Sequence, residues 1–174
     1  MSFTLWFTGL SGAGKTTLSR FACAELLAGG ARVELLDGDV VRSSLGGAFG
    51  FDTRSRYLNI RTLGLLAMML NRHGVVAVVA AIAPLAEARE ENRLLIPRYY
   101  EVFCDCTLGV LEQRDPKGLY SRARRGEIAD FTGISSAYEA PRAPEIHLRT
   151  ERESVEQTQA RLKAALAALG LLPG

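Results

Sequence analysis

The sequence predicts an α/β fold in which a mostly parallel sheet of five strands carries helices on both of its faces. Short apolar runs alternate along the chain with longer segments whose apolar residues recur at helical spacing. One run, residues 75–80, contains only valine and alanine, which is typical of a parallel strand buried on both faces. Neither an internal repeat nor a second domain is visible, so residues 1–174 are expected to form a single domain.

The predicted elements alternate from the start of the chain to its end. Strands are predicted at residues 3–7, 31–36, 75–80, 99–104 and 145–149. Helices are predicted after Gly14 and at residues 52–72, 86–95, 108–114 and 154–169. Residues 115–145 form the predicted lid, and its first part, residues 116–126, is basic and contains two glycines. A segment this long between core elements is usually a functional lid, and the alternative is a solvated basic face.

Composition and charge argue against several classes of function. The hydrophobic fraction of 48% and the charged fraction of 23% are typical of a soluble globular protein. A net charge of +2 is too small to imply a nucleic-acid or membrane surface. The longest apolar run, residues 75–83, is too short to span a bilayer. Because no secretion signal precedes the first strand, we expect a cytoplasmic location.

The cysteines and histidines do not suggest a metal centre. Cys104 and Cys106 flank a single residue and are expected on one face of a strand. A metal site would need further Cys or His nearby, and none lies within sequence reach. We therefore expect Cys23, Cys104 and Cys106 to be buried, reduced thiols. The two isolated histidines, His73 and His147, are expected to be structural or exposed to solvent.

The strongest motif is G-x-x-x-x-G-K-T at residues 9–16, the phosphate-binding loop of P-loop nucleotide enzymes. It lies between a predicted strand and a predicted helix, as such a loop requires. Its glycines let successive backbone N–H groups point inward at phosphate, and the helix adds the positive end of its dipole. Lys15 is expected to reach the β- and γ-phosphates, and Thr16 to ligate Mg²⁺. The predicted ATP-binding residues here are Gly9, Ser11, Gly12, Ala13, Gly14, Lys15, Thr16 and Thr17.

The motif refines the fold class to a P-loop NTPase three-layer sandwich with a basic lid. Asp37 and Asp39 follow the second strand, at the edge where α/β sheets bind ligands. Arg42 comes three residues after Asp39, so one helical turn would place both on the same side. The alternative is an ordinary helix cap beside a solvated arginine. The aromatic residues in 46–51 could offer a ring to a ligand or simply anchor the core.

Together these segments resemble the adenylylsulfate kinase (APS kinase) family. The resemblance covers nearly the whole chain in the family's order, and its most specific parts are D-G-D, K-G-L-Y and F-T-G-I. The matching stretches are residues 9–17, 36–42, 50–51 with 56 and 59–61, 113–120, 131–134, 138–139 and 144–146. The resemblance implies ATP-dependent phosphorylation of the ribose 3′-hydroxyl of adenosine 5′-phosphosulfate (APS), giving PAPS and ADP. It also implies Mg²⁺ with ATP as co-substrate, and commonly a homodimer.

The family's roles can be carried over residue by residue. By position, Asp39 resembles the acid that deprotonates the 3′-hydroxyl, and Lys15 and Lys117 complete the catalytic set. Phe51 and Phe131 resemble the two rings that sandwich the substrate adenine. The substrate-binding set is Asp37, Arg42, Phe51, Arg56, Asn59, Ile82, Lys117 and Phe131. Arg114 and Thr150 are candidates for the adenine pocket of ATP.

The chain departs from the family pattern at a few positions. Asp52 and Ser55 replace the usual serine and aspartate, and Thr62 replaces an arginine. Ala83 stands where a serine is common, which closes any role for that serine. Asp130 stands where glycine is usual and adds a negative charge near an anionic substrate. A related kinase acting on another nucleotide conjugate, such as a phosphoramidate, is therefore the alternative.

A non-catalytic ATP-binding module is a third hypothesis. Binding alone does not require an acid at the acceptor hydroxyl. Lys15, Thr16, Asp39 and Lys117 occur together in this chain, and this combination favours an enzyme.

Overall fold

The structure, a computed structural model, describes residues 2–46 and 49–172. Within them the chain forms five strands and seven helices in the alternation that the sequence predicts. The strands are β1 Thr4–Thr8, β2 Val33–Asp37, β3 Val76–Ala80, β4 Tyr99–Asp105 and β5 Ile146–Arg149. The helices are α1 Lys15–Ala28, α2 Gly38–Ser44, α3 Thr53–Arg72, α4 Ala86–Leu95, α5 Leu108–Arg114, α6 Leu119–Arg124 and α7 Val155–Ala168.

The sheet has the order β2-β3-β1-β4-β5, with β1 in the middle. All four strand pairings within the described residues are parallel. Because parallel strands end at the same edge, the loops after β1, β2, β3, β4 and β5 meet there. The predicted α/β fold with a five-stranded parallel sheet is confirmed, and the phosphate-binding loop follows the central strand.

Two hydrophobic cores fill the space between the sheet and its helices. Alternate side chains of β1 point to opposite faces, so Leu5 and Phe7 enter one core while Trp6 enters the other. The first core includes α1 and α7, and the second includes α3 and α4. Leu5, Trp6 and Phe7 are fully buried. Burial on both faces explains why the three central positions of β1 are all apolar.

Two short helices differ from the sequence prediction. Residues 38–44 were expected only as a helical turn, and α6 lies inside the predicted lid. These helices have 7 and 6 residues, too few for a helical period to stand out in the sequence. In contrast, α7 begins at the predicted cap, where Ser154 and Gln157 form a capping box.

The predicted lid is tied to the sheet edge near its end. Tyr138 Oη lies 3.0 Å from Thr8 Oγ1, at the end of β1. Glu139 N–H donates to Pro84 O, and its carboxylate accepts from Ala86 N–H at 2.6 Å. These bonds fix one end of the segment beside the ligand edge. Among the described residues, no helix is long and apolar enough to cross a membrane.

Candidate active site

The phosphate-binding loop joins β1 to α1 at the carboxyl edge of the sheet. Its first residue must be glycine, because a Cβ at Gly9 would overlap the carbonyl oxygen of Cys104 in β4. The helix begins at Gly14 without a side-chain cap, so its first N–H groups remain available to an anion. Thr16 and Thr17 are exposed in the first turn. The loop therefore has the backbone donors and the helix dipole that phosphate requires.

Lys15 extends back over the loop. Its Nζ donates to the carbonyl oxygens of Gly9 at 2.9 Å and Leu10 at 2.8 Å. Burial lowers the pKa of Lys15 to about 8, although the nearby charges of Asp39 and Asp37 act in the opposite direction. An anionic ligand would reverse the effect of burial. The lysine is thus held close to the position where phosphates would bind.

The two acids after β2 have separate tasks. The Asp37 carboxylate accepts hydrogen bonds from the N–H groups of Asp39 at 2.9 Å and Val40 at 3.3 Å, and so caps α2. Asp39 is exposed in the first turn of that helix, and its charge acts on Lys15. The structure therefore brings an available carboxylate to the phosphate loop and uses its neighbour to hold the helix in place.

Two guanidinium groups form a basic centre beside these acids. Burial, followed by the nearby charge of Arg42, lowers the pKa of Arg56. Arg42 donates to the carbonyl oxygens of Phe49 and Gly50. Among the described residues, neither arginine has a carboxylate partner within salt-bridge distance, although Asp52 and Asp130 are near enough to affect the pKa of Arg56. An anion bound between Arg42 and Arg56 would be attracted by two positive charges.

Asn59 lies one helical turn after Arg56 and is buried. Its Oδ1 has no hydrogen-bond partner among the described residues. A buried acceptor without a partner is costly, so a donor from a ligand would be favoured here. Arg56 also contacts the predicted lid, because it donates to Thr132 Oγ1 at 2.8 Å and to Asp130 O.

The two phenylalanines predicted to sandwich adenine have different neighbours. The Arg42 guanidinium lies over the Phe51 ring, 4.9 Å from its centroid, and this ring is 65% exposed. Phe131 meets the Tyr120 ring edge-to-face, with centroids 5.1 Å apart. An exposed ring on a cation is available for stacking. The adenine sandwich itself stays a prediction.

The remaining predicted residues lie around the same sheet edge. Lys117 is exposed, and its charge adds to the effects that lower the pKa of Lys15. Arg114 Nη2 donates to Thr150 O at 3.1 Å, so these two candidates for the adenine pocket are in contact. The carbonyl oxygen of Ile82 accepts from Thr8 Oγ1 at 2.6 Å. Ile82 therefore contributes a backbone contact to Thr8, at the end of β1 just before the phosphate-binding loop.

The departures at Asp52 and Ser55 have a structural explanation. The Asp52 carboxylate accepts from the Ser55 N–H at 2.9 Å and from Ser55 Oγ at 2.6 Å, and so caps α3. Asp130 is different, because it has a positive φ of 52° in the region that favours glycine. Its carbonyl also contacts Arg56. Asp130 is thus the departure that lies against a predicted substrate residue.

Two of the three cysteines are buried as predicted. Cys104 and Cys106 are free thiols buried in the first core, whereas the free thiol Cys23 on α1, also expected to be buried, is only partly so. Burial raises the pKa of Cys104 to about 12, which keeps it protonated. His147 Nε2 lies 2.8 Å from Asp105 Oδ2 at the sheet surface.

Sequence reasoning missed the polar contacts made by Thr8, Tyr120 and Tyr138. Tyr120 and Tyr138 lie in stretches that support the family resemblance, but the sequence alone assigned them no role. Their partners, Ser11 and Thr8, are more than 100 positions away, so no local pattern could reveal the contacts.

The sequence of the chain also matches that of known proteins. The family model described as adenylylsulphate kinase matches residues 1–149. The chain belongs to the adenylylsulphate kinase family. It is 51% identical over 168 residues to the adenylyl-sulfate kinase of Chloroflexus aurantiacus, covering 97% of this chain and 90% of that relative. This membership confirms the family resemblance.

One relative is much longer than this chain. A probable bifunctional SAT/APS kinase of Sorangium cellulosum is 48% identical over 171 residues, which cover 98% of this chain but only 29% of that relative. Among solved structures, the APS kinase CysC of Mycobacterium tuberculosis in complex with AMPPNP and APS has a TM-score of 0.89 and 40% identity. The superposition on the M. tuberculosis enzyme covers 95% of this chain and 98% of the solved chain.

Proposed function

We propose that the chain transfers the γ-phosphoryl group of ATP to the ribose 3′-hydroxyl of APS, giving PAPS and ADP. The observation that carries this proposal is the position of Asp39. The charge of this exposed carboxylate acts both on Lys15 of the phosphate loop and on Arg42 of the basic centre. The solved relative from M. tuberculosis, with its ATP analogue and APS, supports the choice of substrates.

The chemistry needs positioning and charge stabilisation more than covalent help. Asp39 accepts the proton of the 3′-hydroxyl while that oxygen attacks the γ-phosphorus. Lys15 leaves the loop carbonyls and neutralises charge on the transferred group, and Lys117 assists from the predicted lid. Arg42 and Arg56 hold the phosphosulfate end of APS. Asn59 Oδ1 can only accept, so any contact of Asn59 with that anion is made by its amide N–H groups, and its oxygen needs a donor elsewhere on the substrate.

A magnesium ion fits this set of donors. The Thr16 hydroxyl is exposed beside the phosphate loop, and Mg²⁺ usually takes few protein ligands, with phosphates and water as the others. Within the described residues, no group of three or more acidic, His or Cys side chains could hold a metal ion. The bound ion would neutralise charge on the phosphates. Chelation with EDTA should stop ADP release, and added Mg²⁺ should restore it.

A coupled assay of ADP release tests the proposed reaction. The purified chain is supplied with ATP and, in turn, APS, AMP, adenosine 5′-phosphoramidate and adenosine. We expect APS to have the highest kcat/KM, with Lys15→Ala as the matched inactive control. A higher kcat/KM for another conjugate would replace APS as the substrate, and no ADP release with any acceptor would favour a binding module.

A kinase for another nucleotide conjugate is the second candidate because of Asp130. Its backbone contacts Arg56, and its carboxylate brings a negative charge to the substrate side. Such a charge disfavours a doubly anionic phosphosulfate and tolerates a less charged group. In the same assay, Asp130→Gly would then raise kcat/KM for APS and leave that for adenosine 5′-phosphoramidate unchanged.

The homodimer and the cytoplasmic location also remain proposals. Leu58, Leu65 and Met69 lie on one side of α3 and are 41%, 48% and 50% exposed. We expect a second copy of the chain to cover this stripe, and a hexameric APS kinase of Thiobacillus denitrificans supports self-association. Light scattering should give about twice 18.9 kDa. A Leu65→Glu/Met69→Glu variant should be monomeric, whereas Leu27→Glu on α1 should not.

A further inference from the structure

Tyr120 connects the predicted lid to the phosphate loop. Its hydroxyl donates to the carbonyl oxygen of Ser11 at 2.8 Å, and its side chain is 2% exposed. Burial raises the pKa of Tyr120 to about 12, so the phenol keeps its proton over the physiological pH range. A neutral phenol is a constant hydrogen-bond donor. The Ser11 carbonyl is therefore held toward α6.

The geometry of the peptide bond transmits this contact to the next residue. The Ser11 C=O and the Gly12 N–H belong to one planar trans peptide, and they point in opposite directions. Fixing the carbonyl toward Tyr120 therefore directs the Gly12 N–H away from it. Among the described residues this N–H has no hydrogen-bond partner. Gly12 has a φ of 77°, a conformation that glycine adopts without strain.

Two other carbonyls of the loop accept a hydrogen bond from a different side chain. Lys15 Nζ holds the carbonyl oxygens of Gly9 and Leu10. In the proposed reaction Lys15 moves to the phosphates and these two bonds are lost. The Tyr120 hydroxyl does not contact the phosphates in this scheme, so its bond to Ser11 can persist when nucleotide binds.

Tyr120 is itself rigidly placed. Its N–H donates to Asp115 Oδ1 at 3.0 Å, and the other oxygen of Asp115 accepts from Ser121 N–H at 2.9 Å. Its ring belongs to the first core and meets Phe131 edge-to-face. A donor fixed in this way adds little motion to the loop that it holds.

We propose that Tyr120 is a positioning residue whose hydroxyl orients the Ser11–Gly12 peptide, so that the Gly12 N–H binds the phosphates of ATP. The proposal rests on the proposed function only in that the loop binds ATP. It does not depend on which acceptor is phosphorylated, because nucleotide binding can be measured without an acceptor.

The test is calorimetric titration of Tyr120→Phe, which keeps the ring and removes the hydroxyl. We expect the Kd of ATP and the Kd of inorganic tripolyphosphate to rise by the same factor, about three- to tenfold. Equal factors are expected because the change acts on phosphate and not on the base. The matched control is Tyr57→Phe, which removes a 2.6 Å hydroxyl bond to Glu91, in a side chain that packs on the second core and not the first, and it should leave both values unchanged.

A second measurement follows the Gly12 amide directly. In the unaltered protein, tripolyphosphate should shift the Gly12 amide resonance strongly, and in Tyr120→Phe the shift at saturation should be smaller. Thermal unfolding of both variants separates this effect from a loss of stability. Unchanged Kd values in a folded Tyr120→Phe protein would overturn the proposal, as would a Gly12 resonance that does not respond to tripolyphosphate.

Discussion

At the phosphate loop the groups that would touch the ligand are mostly backbone atoms held by the sheet, whereas on the acceptor side they are side chains from separate segments. Gly9 is fixed by its close approach to Cys104, and Ser11 by Tyr120. On the acceptor side, Arg42 comes from α2, Arg56 from α3 and residues 130–132 from the predicted lid. The phosphate loop is thus shaped mainly by backbone packing, whereas the acceptor side depends on the relative positions of three segments.

Because of this difference, substitutions on the two sides should alter different kinetic constants. A substitution in the phosphate loop, or of Asp39 beside the attacking hydroxyl, acts on charge that develops during phosphoryl transfer. Such a substitution should lower kcat. A change in the exposed acceptor groups should mainly alter how APS is held, so it should raise KM for APS.

Asp39→Asn should have the largest effect. It keeps the shape of the side chain but removes the proton acceptor, and general-base contributions are roughly 10²- to 10⁴-fold. We expect kcat to fall by that factor while the Kd of ATP changes little. Asp52→Asn is a matched control, because asparagine also caps helices well and Asp52 caps α3. An equal loss of ATP affinity in Asp39→Asn would indicate a metal-binding role for Asp39.

Lys15→Ala tests the phosphate side directly. The ammonium neutralises charge on the β- and γ-phosphates, and the loss of such a group lowers the rate on the order of 10²-fold or more. We expect kcat to fall by at least this factor in the ADP-release assay, with the fold retained by circular dichroism. A folded Lys15→Ala variant with near-normal kcat would show that this loop is not the catalytic phosphate site.

Phe51→Ala and Phe131→Ala test the acceptor side. Stacking is worth roughly 1–3 kcal/mol per base, so each change should raise KM for APS by about tenfold or more and leave KM for ATP nearly unchanged. Because the Phe51 ring is 65% exposed, its removal should hardly alter thermal stability. Phe131→Ala also removes the contact with Tyr120 and should lower stability slightly.

The double variant sharpens this test. If the rings hold one adenine between them, Phe51→Ala/Phe131→Ala should lose less than the sum of the two single effects. Normal APS binding in both single variants, or losses confined to ATP, would make the phenylalanines anchors of the fold and contradict the sandwich.

The same division explains what could be predicted from the sequence. The phosphate loop has a fixed local spacing, and its strand and helix neighbours are strongly patterned, so the loop and the fold class were predictable. On the acceptor side, Asp39 and Arg42 were predicted from their spacing after β2, but the roles of Arg56 and Phe131 came only through family resemblance. Arg56 and its lid partner Thr132 are 76 positions apart. Tyr120 was missed for the same reason. The cap formed by Asp52 and Ser55 was predictable in principle, since aspartate is a preferred residue before a helix.

The smallest predicted effect is the pH dependence of ATP binding, which belongs to the phosphate side alone. Burial holds the pKa of free Lys15 at about 8, and bound phosphates should raise it toward its ordinary value of 10.5. Well below pH 8 the amine is protonated with or without ATP, so affinity is at its full value. Above pH 8, binding must take up a proton, and affinity falls as pH rises. From pH 7.5 to 8.5, Kd should therefore increase about threefold.

Calorimetry in buffers of different ionisation enthalpy would measure this proton uptake directly. At pH 8.5 we expect a positive uptake that disappears in Lys15→Ala. Lys163→Met is the matched control, because Lys163 is an exposed lysine on α7, paired with Glu25, and its removal should leave the uptake intact. Uptake that persists in Lys15→Ala would assign the titration to another group. The close contact of Lys15 with the loop carbonyls would then be unrelated to the proton balance of nucleotide binding.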